Sequence, residues 1–272
     1  MQTEQKYKVR NWIDDIQRRG RITFALKEVY EQFHSRNKAT LKNALNRLVL
    51  KGRIYSVWQG FYAIIPIEYS VKGIIPPVLY IDNLMKYLNR PYYISLLSAS
   101  VFYGATHQQP QEFCIVTTSG SLRSSIKKGI KINFTNKKEI PTGLIVKKKT
   151  KTGYVNVSCP ELTAADLVQY EREVGGLNRV STILNELANK IKFKNIPKLF
   201  FEHVPAPVIY RLGYLLDIEL GYNTLADELL QKMKEFGCPM RKTPLKNRKS
   251  TFGCITNKKW KVIVNEQIEI DE

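Results

Sequence analysis

The chain has 272 residues, 43% of them apolar, and carries 43 Lys and Arg against 24 Asp and Glu, a net charge of +19. That length suggests two domains with ample core, and with no run near the ~20 apolar residues of a bilayer span and a polar start, Met-Gln-Thr-Glu-Gln, unlike a secretory signal, a cytoplasmic protein without a membrane partner is expected. The positive surplus is shared by residues 1–70, 71–190 and 191–272, so it is not a tail; it favours polyanionic partners without specifying a sequence.

Residues 6–19 predict a helix with Val9, Trp12, Ile13 and Ile16 on its inner face. Gly20 ends it, and Arg21-Ile22-Thr23-Phe24 reads as a short strand. Arg18, Arg19 and Arg21 lie within reach of phosphates, or form an ordinary solvated helix end. A second helix over 25–33 presents Leu26, Val29, Tyr30 and Phe33 to the same core.

The stretch 35–62 organises the rest. Leu41, Ala44, Leu45 and Leu48 fall at i, i+3, i+4 and i+7, one apolar stripe of a helix that Ser35 can cap and Gly52 can end. The opposite arc carries Arg36, Ala39, Thr40, Asn43, Asn46 and Arg47 and no acid, a set able to pair with base edges, or a plain solvated face. Runs 54–57 and 61–65, joined by Trp58-Gln59-Gly60, read as a hairpin. Helix, turn, polar-faced helix and hairpin together describe a winged helix-turn-helix, whose polar-faced helix would enter the major groove of duplex DNA. The DNA-binding candidates are Arg36, Asn37, Lys38, Thr40, Lys42, Asn43, Asn46 and Arg47, with Trp58 and Gln59 from the wing. Thr40, Asn43 and Arg47 are assigned to bases, and Lys38 and Lys42 to phosphates.

Pro66 ends the wing, and 73–77 (Gly-Ile-Ile-Pro-Pro) reads as a linker. A helix over 78–89 and another from 92 to 103, apolar nearly all round, open a second domain. Strands are expected at 112–117, 130–134, 143–149 and 154–158. The turn of the last hairpin gathers Lys147, Lys148, Lys149 and Lys151, taken to face Lys127, Lys128 and Lys131. These lysines track a phosphate backbone or blunt an exposed sheet edge. Helices follow at 160–170, where proline and acids mark the first turn, and at 177–190, 207–220 and 225–236. A basic segment runs from 241 to 249, with a last strand at 260–265 and an acidic end, 266–272, expected to fray. The whole predicts an α+β protein: a winged helix over 1–70, a linker at 71–77, a mixed helix–strand domain over 78–240, and a basic extension over 241–272.

No phosphate-binding glycine motif or nucleophile elbow is present, and no cofactor is expected. Cys114, Cys159, Cys238 and Cys254 and the histidines His34, His107 and His203 lack metal-site spacing, so buried reduced thiols and no metal are expected. His107 lies in the polar loop 104–110 and reads as a hydrogen-bonded loop residue rather than a catalytic one. A metal-dependent nuclease built on Asp82, Glu112 and a lysine of 147–149 is one alternative, and a scaffold that uses the winged helix without DNA is another.

Two stretches carry a family likeness: Phe-Tyr-Gly-Ala-Thr-His-Gln-Gln-Pro-Gln (102–111) and Cys-Pro-Glu-Leu-Thr-Ala-Ala-Asp-Leu-Val (159–168). With the N-terminal pattern ending in Gly60-Phe61-Tyr62, and in this order, the chain resembles the AbiEi family, antitoxins and transcriptional regulators of type IV bacterial toxin–antitoxin systems. The resemblance implies a non-enzymatic repressor that binds inverted repeats in its own promoter. It also implies antagonism of a nucleotidyltransferase toxin, which need not involve a stable complex.

Overall fold

The computed structural model describes residues 7–105, 112–118, 120, 122, 124–127 and 129–269. Residues 106–111, with His107 among them, lie outside the described residues, as do Lys128 and the side chain of Lys127. The protein is α+β and divides into two compact units. One comprises Met1–Pro91, Ser125–Ile130 and Lys148–Val155; the other comprises Tyr92–Ser124, Lys131–Lys147 and Asn156–Glu272.

In the first unit, α1 (Val9–Arg18) buries Val9, Trp12, Ile13 and Ile16, the stripe that its spacing dictates. A short strand β1 (Thr23–Ala25) leads into α2 (Leu26–Gln32), where Glu28 Oε1 accepts the Ala25 N–H at 2.9 Å and satisfies a free donor of the first turn. The next helix, α3 (Lys38–Leu50), buries Leu41, Leu45 and Leu48. Its cap is Asn37 rather than Ser35: the helix starts later than the sequence suggests, and Asn37 Oδ1 accepts from Ala39 N at 2.7 Å. Gly52 follows with φ +65°. Strands β2 (Ile54–Trp58) and β3 (Phe61–Ile64) form the hairpin, and β1 pairs with the other side of β3. The Trp12 indole meets Phe24 edge-on at 5.4 Å, closing the helices onto this sheet.

This unit does not stop at the expected linker; it runs on to Pro91. Ile75 is fully buried, and α4 (Ile81–Tyr87) follows. The Tyr87 ring lies 5.2 Å from that of Phe61, its hydroxyl donates to Gln59 O at 3.1 Å, and Asn83 Nδ2 donates to Thr23 Oγ1 at 3.1 Å. Gly60 has φ +72°, which favours glycine, and a Cβ there would approach Tyr87 Oη to 2.8 Å and push that hydroxyl aside. The Gly–Pro composition of 73–77 marked a turn, but the apolar residues around it had a surface to bury.

In the second unit the expected helix from residue 92 begins instead as a strand. β4 (Tyr92–Ile94) pairs antiparallel with β5 (Glu112–Thr118) and parallel with β9 (Gly153–Ser158), and helix α5 is confined to Leu96–Ser100. A strand buried on both faces shows an unbroken apolar run, which periodicity cannot separate from a buried helix. In chain order the further strands are β6 (Ser125–Lys127), β7 (Ile130–Lys137) and β8 (Ile145–Thr150), and within the second unit the strands lie in the order β7-β5-β4-β9.

Helices α6 (Pro160–Gln169), α7 (Glu171–Val174), α8 (Leu177–Leu187), α9 (Lys198–His203), α10 (Ala206–Tyr214) and α11 (Asn223–Glu235) build the remaining core. The basic segment is not an extension. β10 (Thr243–Pro244) pairs in parallel with β11 (Val262–Ile263), a shorter last strand than expected. Trp260 is fully buried, its indole N–H donating to Asp217 Oδ2 at 2.8 Å. Gly213 makes room for it, since a Cβ there would stand 2.1 Å from the ring. Glu266 is not frayed: it accepts from Lys249 Nζ at 2.5 Å, while 270–272 lie outside the described residues. All four cysteines are free, but only Cys114 is buried, which pushes its thiol up to about 12; the other three are partly exposed.

Candidate nucleic-acid interface

Because Leu41, Leu45 and Leu48 fix one side of α3 in the core, 3.6-residue geometry turns Thr40, Lys42, Asn43, Asn46 and Arg47 outward. All five are exposed, and among the described residues none has a side-chain partner in the chain. Lys38 is exposed as well, its ammonium 5.4 Å from the Tyr30 ring centre. The arc offers a hydroxyl, two amides, a guanidinium and two ammonium groups, with no carboxylate to repel phosphate.

The structure removes other candidates from this surface. Arg36 is half-buried, donating to Tyr7 O at 2.8 Å with its guanidinium 5.2 Å over the Phe33 ring, so it ties two segments together instead of projecting outward. Asn37 spends its carbonyl oxygen on the helix cap. Arg18 pairs with Asp15 at 2.9 Å and Arg21 with Glu28 at 2.6 Å, which leaves Arg19 as the open member of that group. At the hairpin turn Gln59 is exposed and Trp58 half-buried, the latter's carbonyl accepting from Ser56 Oγ at 3.1 Å.

Lys147, Lys148 and Lys149 sit on β8, an edge strand, and Lys151 in the turn that follows it. Lys147, Lys149 and Lys151 are exposed and Lys148 is half-buried. Lys131 is on β7, and its ammonium binds Glu112 at 2.8 Å. Of the carboxylates considered for a metal, Asp82 pairs with Lys86 at 2.6 Å in the first unit, while Glu112 in the second accepts from Lys131 and Asn133.

A constellation absent from the sequence reading lies under the sheet of the second unit. Asp166 on α6 is fully buried. Its Oδ1 accepts from Lys137 Nζ at 2.6 Å and its Oδ2 from Tyr93 Oη at 2.9 Å. The ammonium also lies 5.8 Å and 5.9 Å from the Tyr93 and Tyr170 ring centres. Burial raises the Asp166 carboxyl above its ordinary value against the pull of Lys137 and Tyr93, and burial likewise raises Tyr93.

Residues 93–218 match the AbiEi antitoxin C-terminal domain family. This segment is similar to the C-terminal domain of AbiEi antitoxins. No curated protein matches the sequence. Among solved structures the fold is similar to the RV2827C protein from Mycobacterium tuberculosis, with a TM-score of 0.66, 15% identity, and coverage of 93% of this chain and 89% of that chain.

Within the AbiEi segment, Tyr93, Lys137 and Asp166 come from β4, β7 and α6, so no single window of sequence displays them together. The one signal was Asp166 itself, an acid inside the apolar run 162–168. A carboxylate held that deeply needs a cation, and Lys137 is that cation.

Proposed function

We propose that this chain is a DNA-binding repressor of its own operon and the antitoxin of a type IV toxin–antitoxin system, directed against a nucleotidyltransferase toxin. In this reading the N-terminal unit is a winged helix-turn-helix that lays α3 in the major groove of inverted repeats, and residues 78–240 carry the antitoxin function. The observation that supports it is the acid-free arc of Thr40, Asn43, Asn46 and Arg47, outward-facing and without a side-chain partner among the described residues, next in the chain to the β2–β3 hairpin. Asn and Arg side chains have donor–acceptor pairs that fit adenine and guanine edges, whereas Lys38 and Lys42 suit phosphates. The antitoxin half rests on the AbiEi segment. Its antagonism of the toxin does not require a lasting complex, and both activities belong in the cytoplasm.

The test uses the full chain on its own upstream DNA. Native protein should protect an inverted repeat, and Asn43→Ala with Arg47→Ala should abolish that protection while still rescuing cells that express the neighbouring toxin. A native chain that binds this DNA no better than random duplex would refute the repressor reading and favour a scaffold. Rescue lost with operator binding would refute the division of labour.

A further inference from the structure

We propose that the loop between β10 and β11 is a second nucleic-acid contact, one that takes unpaired nucleotides by stacking a base on Phe252 among cationic side chains. From residue 239 to 265 the sequence has eight Lys or Arg and no acid. Three of the eight are neutralised: Lys246 by Glu171 at 2.8 Å, Lys249 by Glu266 at 2.5 Å, and Lys259 by Asp217 and Asp227 at 2.8 and 2.7 Å. Arg241, Lys242, Arg248, Lys258 and Lys261 are exposed and have no acid partner among the described residues.

Between these cations stand two apolar side chains that water surrounds: Phe252 is 97% exposed and Ile255 80%. A slack loop would fold such groups away, but this one is pinned on both sides. Asn265 Nδ2 donates to Lys246 O and Lys249 O at 2.9 and 3.0 Å, Val264 N donates to Ile255 O at 2.9 Å, and buried Trp260 anchors the return. Phe252 is therefore presented, and a pinned, exposed apolar group marks a contact surface.

The chemistry around it selects the partner. Lysine is depleted at the centres of protein interfaces, whereas aromatic platforms framed by Lys and Arg are how single strands are held, with phosphates on the cations and base faces on the rings. A duplex hides its base faces in the stack and would gain nothing from Phe252; an unpaired base offers one. The site is independent of α3 and of its reading as a duplex binder.

The experiment measures anisotropy of labelled oligothymidine of about 12 nucleotides, a length within the range such surfaces cover, and of an abasic oligomer of equal length. The native full chain should prefer oligothymidine, and Phe252→Ala should erase that preference, a loss of roughly 5- to 100-fold. Phe252→Trp should keep it. Lys258→Gln with Lys261→Gln should weaken both oligomers alike and flatten the salt dependence. Equal native affinity for the two oligomers would overturn the proposal, as would Phe252→Ala binding both as the native chain does. If that variant loses toxin neutralisation with nucleic-acid binding unchanged, the loop is a protein anchor and the proposal fails. The side chain is so exposed that its removal leaves the fold intact, which circular dichroism checks.

Discussion

Two helices, α3 and α6, carry polar residues and treat them in opposite ways. On α3 the side chains of Thr40, Lys42, Asn43, Asn46 and Arg47 have no partner among the described residues. On α6 every residue from Glu161 to Val168 is buried, and each charged or polar one is satisfied internally. Glu161 accepts from Lys192 N at 2.8 Å, Thr163 shares its hydroxyl with Ser158 Oγ at 2.6 Å, and Asp166 holds Lys137 and Tyr93. The difference teaches that a polar residue's role follows from whether the fold already answers it. What the fold answers is structural; what it leaves open is available to a partner.

The comparison breaks most directly at Asp166. Asp166→Ala strands the Lys137 ammonium under the sheet and should cost about 3–5 kcal/mol in urea unfolding. Asn43→Ala should leave that unfolding curve unmoved. If the two variants unfold alike, the contrast between the helices is false. Next in size is the proposed DNA contact: Asn43→Ala and Arg47→Ala should each cost roughly 1–3 kcal/mol on operator DNA in gel-shift titrations, and far less on random duplex.

Gly213→Ala sharpens the same point inside the second unit. It forces Trp260 off its seat and should destabilise by about 1–3 kcal/mol, visible as an altered indole emission. Arg36→Ala is smaller, about 1 kcal/mol from the bond to Tyr7 O, and it should appear in stability and not in operator specificity.

Acid gives the gentlest test. Burial of Asp217 raises its carboxyl, but hydrogen bonds from Lys259, Asn223 and Trp260 outweigh that and hold it below the ordinary carboxylate value. A depressed folded-state value contributes stability present above the unfolded value of about 4 and lost as pH falls through the folded one. Trp260 emission should therefore shift on acidification below about pH 4, and Asp217→Asn should flatten that transition. Alanine at Lys147, Lys149 and Lys151 should change stability by less than about 0.5 kcal/mol, leaving toxin rescue as the readout that decides whether the edge strand serves it.

Local pattern determined much of this protein by itself. The stripe of Leu41, Leu45 and Leu48, that of Val9 to Ile16, and the turn glycines Gly52 and Gly60 act through neighbours a few residues away, so helix, hairpin and outward arc were legible. The stretches 102–111 and 159–168 carried the family likeness. Tertiary structure decided whatever depended on a distant partner. Tyr92–Ile94 became a strand because β5 and β9 flank it; Arg36 turned inward because Tyr7 and Phe33 meet it; Ile75 was buried although its neighbours read as a linker. Asp166 found Lys137 across 29 residues. Hydrophobic periodicity is a short-range signal, whereas the pairing of strands and the neutralisation of buried charge are settled only when the chain closes on itself.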